Sequence, residues 1–421
     1  MPTKRSLLMV AYYFPPLGGS GALRPLKLAK YLPESGWNPV VLSVRNPDWY
    51  YAADTDLAAE LPREVTLVRA LMIRSAWIYY SLNPLRFRRL DNIIRRVIFH
   101  PDEQIGWIPF AVAAAGRLIR RHDIRAVYST SSPLSCHLIA YFISKRFGLP
   151  WVADFRDEWV ENPDMVYPTR VHRRFHFFLE KKIAESADQL IAPAPEFCRL
   201  LKKHPGCAPC ETLYMGFDPR DRSPEPGGER PAVASGRFTL VFSGLFYGSF
   251  RPDGLLRVVN TLIDRGEVPR EGVRMIFVGA NSAADLREKD RYGICEFTGF
   301  VAHRTALGYI DSADALLLLL SDERGKNVVP SKTFEYLAAG KPILALVPAD
   351  GDVAGIIRCT RSGRVADFGD DRAVESAFLA LYRRWREAEP FRPEAEAVSA
   401  FDQRAITRRL AELLNEMTGD K

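Results

Sequence analysis

Short apolar runs alternate with helical patterns along most of the chain. Nearly continuous apolar runs at residues 6–13, 39–44 and 315–320 predict buried strands. Stretches with apolar residues at helical spacing, such as residues 22–32 and 171–186, lie between runs of this kind. This alternation predicts an α/β fold in which βαβ units build parallel sheets.

The alternation occurs on both sides of a segment that has no apolar period. Residues 216–236 collect Pro and Gly, and the strand, glycine turn and helix that open the chain are repeated after them. A chain of 421 residues with 47% hydrophobic composition is long enough for two cores. We therefore predict an N-terminal domain over residues 1–218, a linker at 219–236, a second domain over 237–400 and a terminal helix at 401–421.

The segment 327–342 carries the most informative candidate chemistry. It follows the apolar run 315–320, and Ser331 after a proline signals the start of a helix. In a βαβ unit the first turn of such a helix points its N–H groups into a ligand crevice. Lys332 there opposes the helix dipole, so a phosphate would explain its position, and Glu335 one turn later can accept two ribose hydroxyls. A plain βα connection with a solvated lysine and glutamate is the alternative.

Glycine-rich turns follow the first strand of each predicted domain. Gly18 and Gly19 precede the first helix, and Gly244 begins a similar turn that leads to Arg251. Glycines at a strand-to-helix turn let a phosphate or a sugar approach the backbone amides. Each turn is also compatible with an ordinary βα connection.

A charged cluster follows the apolar run at residues 150–153. Asp154, Arg156 and Asp157 come at the carboxyl end of this predicted strand, which in a parallel sheet lies at the ligand crevice. The alternative is a structural ion pair in which Arg156 satisfies both acids.

These segments resemble the retaining glycosyltransferases of family 4, which have the GT-B fold. Pro330, Ser331, Lys332 and Glu335 match a Pro-Ser-Lys variant of the donor-site motif, although Asn327 stands where most members have a first glutamate. The glycine turn at residues 18–21 and the Asp-Phe-Arg-Asp-x-Trp segment at 154–159 are also similar to the family. The resemblance implies two Rossmann-like doubly wound domains that face each other across a cleft, with the terminal helix crossing back to the N-terminal domain.

The resemblance also implies roles for individual residues. The residues expected in catalysis are Asp154, Asp157, Arg251 and Lys332. The residues expected to bind the donor are Gly18, Gly19, Gly244, Arg251, Ser331, Lys332 and Glu335. The residues expected to bind the acceptor are Ser20, Arg24, Ser131 and Arg156. The donor is expected to be a nucleotide diphosphate sugar held by Arg251 and Lys332, with no metal site and no further cofactor.

The distribution of charge along the chain indicates which kinds of partner the protein could bind. A formal net charge of +7 is too small for this length to argue for nucleic acid. Residues 74–125 contain ten arginines and four acids, and a helix over residues 85–98 would place Arg88, Arg89, Arg95 and Arg96 opposite an apolar face. Such a helix fits peripheral contact with an anionic membrane, and it also fits a core-packed helix with a solvated arginine face.

The cysteines and the chain start indicate a cytoplasmic protein. Six cysteines are scattered, and the close pair Cys207 and Cys210 has no second pair to complete a zinc site, so we expect reduced thiols. The first residues lack a signal-peptide layout. The longest apolar candidate, residues 107–116, is shorter than the roughly 20 residues of a membrane-spanning helix. Any membrane contact should therefore be peripheral.

The expected function is transfer of a hexosyl or N-acetylhexosaminyl group, with retention, to a sugar or lipid-linked acceptor. The setting that the resemblance implies is cell-surface polysaccharide synthesis of the exopolysaccharide or O-antigen type. Two alternatives remain open, namely a sugar-nucleotide 2-epimerase of the same fold and a non-catalytic sugar-nucleotide-binding partner. Asn327 in place of the first glutamate favours the second of these.

Overall fold

The structure is a computed structural model that describes residues 5–47, 55–75, 97, 99–162, 165–222, 236–246, 251–280, 284–320 and 323–419. The chain divides into two compact units, Met1–Tyr214 with Gln403–Lys421, and Met215–Asp402. The predicted basic helix at 85–98, apart from Val97, and most of the predicted linker lie outside the described residues.

A seven-stranded parallel sheet forms the centre of the described part of the first unit. Its strands are β1 Arg5–Val10, β2 Trp37–Val44, β3 Thr66–Ala70, β4 Ile124–Ser131, β5 Trp151–Phe155, β6 Gln189–Ala192 and β7 Cys210–Thr212. They are arranged in the order β3-β2-β1-β4-β5-β6-β7. The connecting helices are α1 Ser20–Tyr31, α2 Thr55–Ala59, α3 Ile108–Arg121, α4 Ser135–Phe147, α5 Arg170–Ser186 and α6 Pro195–Leu201.

Both faces of this sheet are buried. Leu8 and Val10 of β1 belong to one core, and Leu7 and Met9 belong to the other, because successive side chains of a strand point to opposite faces. A strand buried on both faces needs a nearly continuous apolar run, which is the pattern that the sequence shows.

A six-stranded parallel sheet forms the second unit, in the order β10-β9-β8-β11-β12-β13. Its strands are β8 Phe238–Ser243, β9 Val273–Val278, β10 Cys295–Gly299, β11 Ala315–Leu319, β12 Ile343–Leu346 and β13 Gly363–Ala366. Its described helices are α7 Asp253–Asp264, α8 Ala284–Lys289, α9 His303–Ser312, α10 Ser331–Ala339, α11 Asp352–Cys359, α12 Asp371–Arg386 and α13 Ala395–Ser399. The predicted fold of two doubly wound parallel sheets is confirmed.

The last helix, α14 Gln403–Thr418, belongs to the first unit. Its Asn415 Oδ1 accepts hydrogen bonds from Arg5 Nη1 at 3.1 Å and Trp37 Nε1 at 3.0 Å. The predicted terminal helix at 401–421 corresponds to α14, and Asp402, which precedes it, forms a β-bridge with Phe217. The helix that returns to the first sheet is therefore α14 alone.

The expectation of reduced thiols at Cys207 and Cys210 was wrong for Cys210, which lies in the edge strand β7. Cys210 is joined to Cys198 of α6 by a disulfide, so it is not one of a pair of reduced thiols with Cys207. The two bonded cysteines lie twelve positions apart, with the end of α6 and a turn between them, so the pairing could not be read from spacing. None of the helices described has the length and apolar character needed to cross a membrane.

Candidate functional site

The strand order of each sheet reverses at one point, between β1 and β4 in the first unit and between β8 and β11 in the second. Ligands of open parallel sheets bind outside the carboxyl ends of the strands at such a point. The predicted site positions found there are Gly18 and Gly19 after β1, Ser131 at the end of β4, Gly244 after β8, and Ser331 and Lys332 after β11. These positions therefore lie at the topological switch points of both sheets, whereas the charged motif at residues 154–157 is at the end of the neighbouring strand β5.

Lys332 is the central cation of the second unit's switch point. This lysine is in the first turn of α10, and its Nζ lies 4.1 Å from the centroid of the Phe242 ring. It forms no ion pair with a carboxylate in the described part of the chain. Burial lowers the pKa of Lys332 to about 8, although the nearby Glu335 acts to raise it. A lysine placed over an aromatic face at the positive end of a helix dipole provides a site for an anion.

Gly244 makes room for this lysine. Its φ is 128°, a conformation that side chains rarely adopt, and a Cβ added there would lie 2.6 Å from Lys332 Nζ. The Gly244 N–H donates a hydrogen bond to Val278 O at 2.8 Å, which fixes the turn to the neighbouring strand. The backbone conformation thus favours glycine here, and a side chain would displace the Lys332 ammonium from its position.

Tyr336 positions α10 against β8 and was not singled out from the sequence. It is fully buried, and its hydroxyl accepts a hydrogen bond from the Ser243 N–H at 2.9 Å. This contact holds the end of β8 beside the first turn of α10. A buried tyrosine usually needs a partner for its hydroxyl, so a tyrosine one turn after Lys332 was the available signal.

The other predicted donor residues have different environments. Arg251 Nε lies 3.0 Å from Asp253 Oδ2, so this arginine has an acidic partner at the start of α7. Burial acts to raise the pKa of Asp253, but Lys289 and Arg251 lower it overall. Ser331 is exposed and Glu335 is partly buried, both on α10. Lys332 and Arg251 therefore differ, because only Arg251 forms an ion pair.

In the first unit, Arg24 and Asp154 form a buried ion pair. Arg24 Nε lies 2.7 Å from Asp154 Oδ2 and Nη2 lies 3.0 Å from Oδ1, while Nη1 donates to Tyr214 O at 2.7 Å. The Tyr128 hydroxyl donates to the same carboxylate. Arg24 is 2% exposed and Asp154 is 0% exposed. This corrects the predicted acceptor contact of Arg24 and the predicted catalytic contact of Asp154, since neither side chain reaches the surface.

Arg156 holds two loops of the switch point together and pairs with neither acid of its motif. Its guanidinium donates to the carbonyl oxygens of Gly21 at 2.6 Å, Ser132 at 2.8 Å and Ser131. The interpretation in which Arg156 satisfies both acids is therefore wrong. Asp157 is exposed, and its Oδ2 accepts a hydrogen bond from Ser132 Oγ at 3.4 Å.

The small residues of these loops differ in how accessible they are. Gly19 is exposed, has a φ of 92° and caps α1, whereas Gly18 is partly buried. Ser131 is 1% exposed, and its hydroxyl has no hydrogen-bond partner among the described residues. The side chain of Ser20 lies outside the described part. The predicted acceptor contact of Ser131 is thus corrected as well, because its hydroxyl is enclosed.

Comparison with known proteins agrees with this architecture. Residues 19–209 match the model of a glycosyl transferase 4-like domain, and residues 237–384 match that of glycosyl transferases group 1. No curated protein sequence gives a significant match to the chain.

Solved structures of similar fold cover nearly the whole chain. Sucrose-phosphate synthase from Thermosynechococcus elongatus has a TM-score of 0.66 at 14% identity, and the alignment covers 99% of each chain. HepE from Anabaena in complex with UDP has a TM-score of 0.63 at 14% identity, covering 98% of this chain and 100% of that one. The same protein with UDP-glucose gives a TM-score of 0.60 at 15% identity, covering 98% and 99%. The chain thus contains two matched glycosyltransferase domains in this order and has the GT-B fold.

Proposed function

We propose that the protein is a retaining glycosyltransferase of family 4, of the Pro-Ser-Lys variant, which uses a nucleotide diphosphate sugar as donor. The observation that carries the proposal is Lys332, a positioned lysine at the start of α10 that forms no ion pair with a described acid. The solved structures of HepE with UDP and UDP-glucose support a uridine nucleotide as the first donor to test.

The reaction breaks the bond between the sugar and the diphosphate. Negative charge develops on the departing diphosphate, and Lys332 together with the N–H groups of the first turn of α10 would stabilise it. Because these groups are held in place before the substrate binds, they need little reorganisation during the reaction. Arg251 would contribute less, because Asp253 already neutralises part of its charge. Glu335, one turn along α10, would accept the ribose hydroxyls of the donor.

The acceptor would bind at the switch point of the first sheet. Asp157 is the exposed carboxylate of its motif and would orient the acceptor hydroxyl. The hydroxyl oxygen would attack the sugar from the face that the diphosphate leaves, and its proton would pass to the departing phosphate oxygen. Arg156 would act as a positioning residue, because it holds the carbonyl groups of both adjoining loops. The buried ion pair of Arg24 and Asp154 would stabilise the end of β5, on which this motif is placed. The acceptor class we propose is a sugar or lipid-linked sugar of a cell-surface polysaccharide, reached by peripheral contact with the inner face of the membrane.

Equilibrium binding of UDP tests the donor site. Lys332→Ala should weaken UDP binding by about tenfold or more, since a hydrogen bond to a charged group is worth about 1.5–3 kcal/mol. Uridine alone should bind the variant and the parent alike. Lys341→Ala is the matched control, because it removes a lysine just beyond the other end of the same helix. Equal UDP affinity in all three proteins would exclude the proposed diphosphate contact.

A non-catalytic sugar-nucleotide-binding partner is the second candidate. Asn327, just before α10, replaces the first glutamate of the family motif and cannot act as a carboxylate. Such a protein would bind UDP with the same dependence on Lys332 but would release no sugar. Binding and turnover must therefore be measured separately.

A further inference from the structure

The outer face of α5 exposes large apolar side chains. Val171 is 72% exposed, Phe175 is 44% exposed and Phe178 is 59% exposed. Their spacing of four and three residues places them on one side of the helix. Isolated exposed apolar residues are ordinary, but a row of three on one helix face marks a contact surface.

The opposite face of α5 is fixed by buried polar contacts. The Trp159 Nε1–H donates to His176 Nδ1 at 2.9 Å, and Glu180 Oε2 accepts a hydrogen bond from the Val160 N–H at 2.8 Å. His204 Nε2 lies 2.7 Å from Glu180 Oε1. Rotating the helix to bury its phenylalanines would break these contacts and leave buried polar groups without partners. The apolar row is therefore held toward solvent.

Basic side chains flank the apolar row. Arg170, Arg174 and Lys182 are exposed, and none of them forms an ion pair with an acid that the structure describes. Lys181 is paired with Glu185 at 3.6 Å, so it adds less to the local potential. Long basic side chains beside an aromatic row can lie along apolar surface while their charges stay in a polar layer.

We propose that this face, which we call the α5 surface (Arg170, Val171, Arg174, Phe175, Phe178 and Lys182), docks onto a bilayer that contains anionic phospholipid. The apolar row enters the boundary between headgroups and acyl chains, and the three unpaired cations meet lipid phosphates. A second copy of the chain fits less well, because a symmetric contact would bring the same cations against each other. This assignment rests on the peripheral membrane contact of the proposed function, and it does not depend on which sugar the protein transfers.

Cosedimentation with vesicles tests the assignment. The full-length protein should bind mixed phosphatidylcholine–phosphatidylglycerol vesicles more tightly than pure phosphatidylcholine vesicles. Raising the salt from about 0.1 M to about 1 M should release it, because the Debye length falls from about 10 Å to about 3 Å. Arg170→Gln, Arg174→Gln and Lys182→Gln together should lower the partition coefficient by about fivefold for each charge. Phe175→Ser with Phe178→Ser should lower it on both vesicle types.

The matched control removes three arginines from the second unit. Arg364→Gln, Arg383→Gln and Arg392→Gln replace exposed residues that form no ion pair with a described acid. This variant should bind mixed vesicles as the parent does. Thermal unfolding and UDP affinity should match the parent in every variant, so a failure here leaves the donor-site proposal intact.

Three results would overturn the assignment. The first is vesicle binding that the α5 variants leave unchanged. The second is an equal loss in the control variant, which would indicate general attraction by net charge. The third is no vesicle binding together with a dimer, seen in sedimentation velocity, that Phe175→Ser with Phe178→Ser abolishes, since the surface would then bind a second copy.

Discussion

The affinity for a nucleotide diphosphate should fall as the pH rises through about 8, the value to which burial lowers the pKa of Lys332. Below this pH the unliganded lysine carries its charge, and above it the lysine is mostly a neutral amine. A bound diphosphate favours the charged form, so it raises the pKa of Lys332. Affinity is therefore fully present below the unliganded pKa and declines as the pH increases above it.

The size of the effect follows from proton linkage. If the bound diphosphate returns the pKa of Lys332 to about 10.4, the ordinary value for lysine, affinity should drop about tenfold between about pH 7 and about pH 9. Isothermal titration of UDP into the parent, Lys332→Ala and Lys332→Arg across this range measures the drop. Lys332→Arg should give a profile parallel to that of Lys332→Ala, because arginine keeps its charge throughout. The pH profile of Lys332→Ala measures the part of the change that comes from ionisation of the uracil ring.

A parent profile that runs parallel to that of Lys332→Ala would refute this reasoning. It would mean that the lysine's charge does not contribute to diphosphate binding, even though the lysine lies at the switch point. A parent profile that falls about tenfold more than the alanine profile supports a direct contact.

Three further predictions follow from the described contacts. Arg24→Met should lower the free energy of unfolding in urea by about 3–5 kcal/mol, because it leaves Asp154 charged and buried, whereas the exposed Arg257–Asp371 pair should contribute less than about 1 kcal/mol. Gly244→Ala should weaken UDP binding by on the order of tenfold, because its Cβ would lie 2.6 Å from Lys332 Nζ; unchanged binding would show that the lysine is elsewhere in the complex. Glu335→Gln should reduce affinity for UDP more than for deoxy-UDP, and equal losses would show that Glu335 does not contact the ribose hydroxyls.

Most of the fold could be predicted because its strands are buried on both faces. Strands such as β11 and β12 are continuous apolar runs, and their alternation with helices implies parallel sheets. The strand β13 was missed because it is a short edge strand with the sequence Gly-Arg-Val-Ala, which has no apolar run. The ion pair between Arg24 and Asp154 could not be predicted either, because the two residues lie 130 positions apart in the sequence.

The candidate site was predictable where local sequence determines position. Lys332 stood out because a lysine in the first turn opposes the helix dipole, and the structure places it at a switch point. The two carboxylates at the carboxyl end of β5 could not be assigned in this way, because burial decides between a catalytic acid and a structural one. Asp154 is enclosed and Asp157 is exposed, although they are three residues apart.

The central claim is tested most directly by incubating the protein with UDP-, GDP- and ADP-sugars and following nucleotide release and sugar configuration by NMR. We predict release of nucleotide diphosphate from one donor class, with the α-linkage of an α-donor kept in the first-formed product. The rate should fall in Lys332→Ala and stay unchanged in Lys341→Ala. Nucleotide binding without sugar release from any donor would contradict the claim and favour a binding partner, and a changed configuration at the sugar's C2 would identify an epimerase instead.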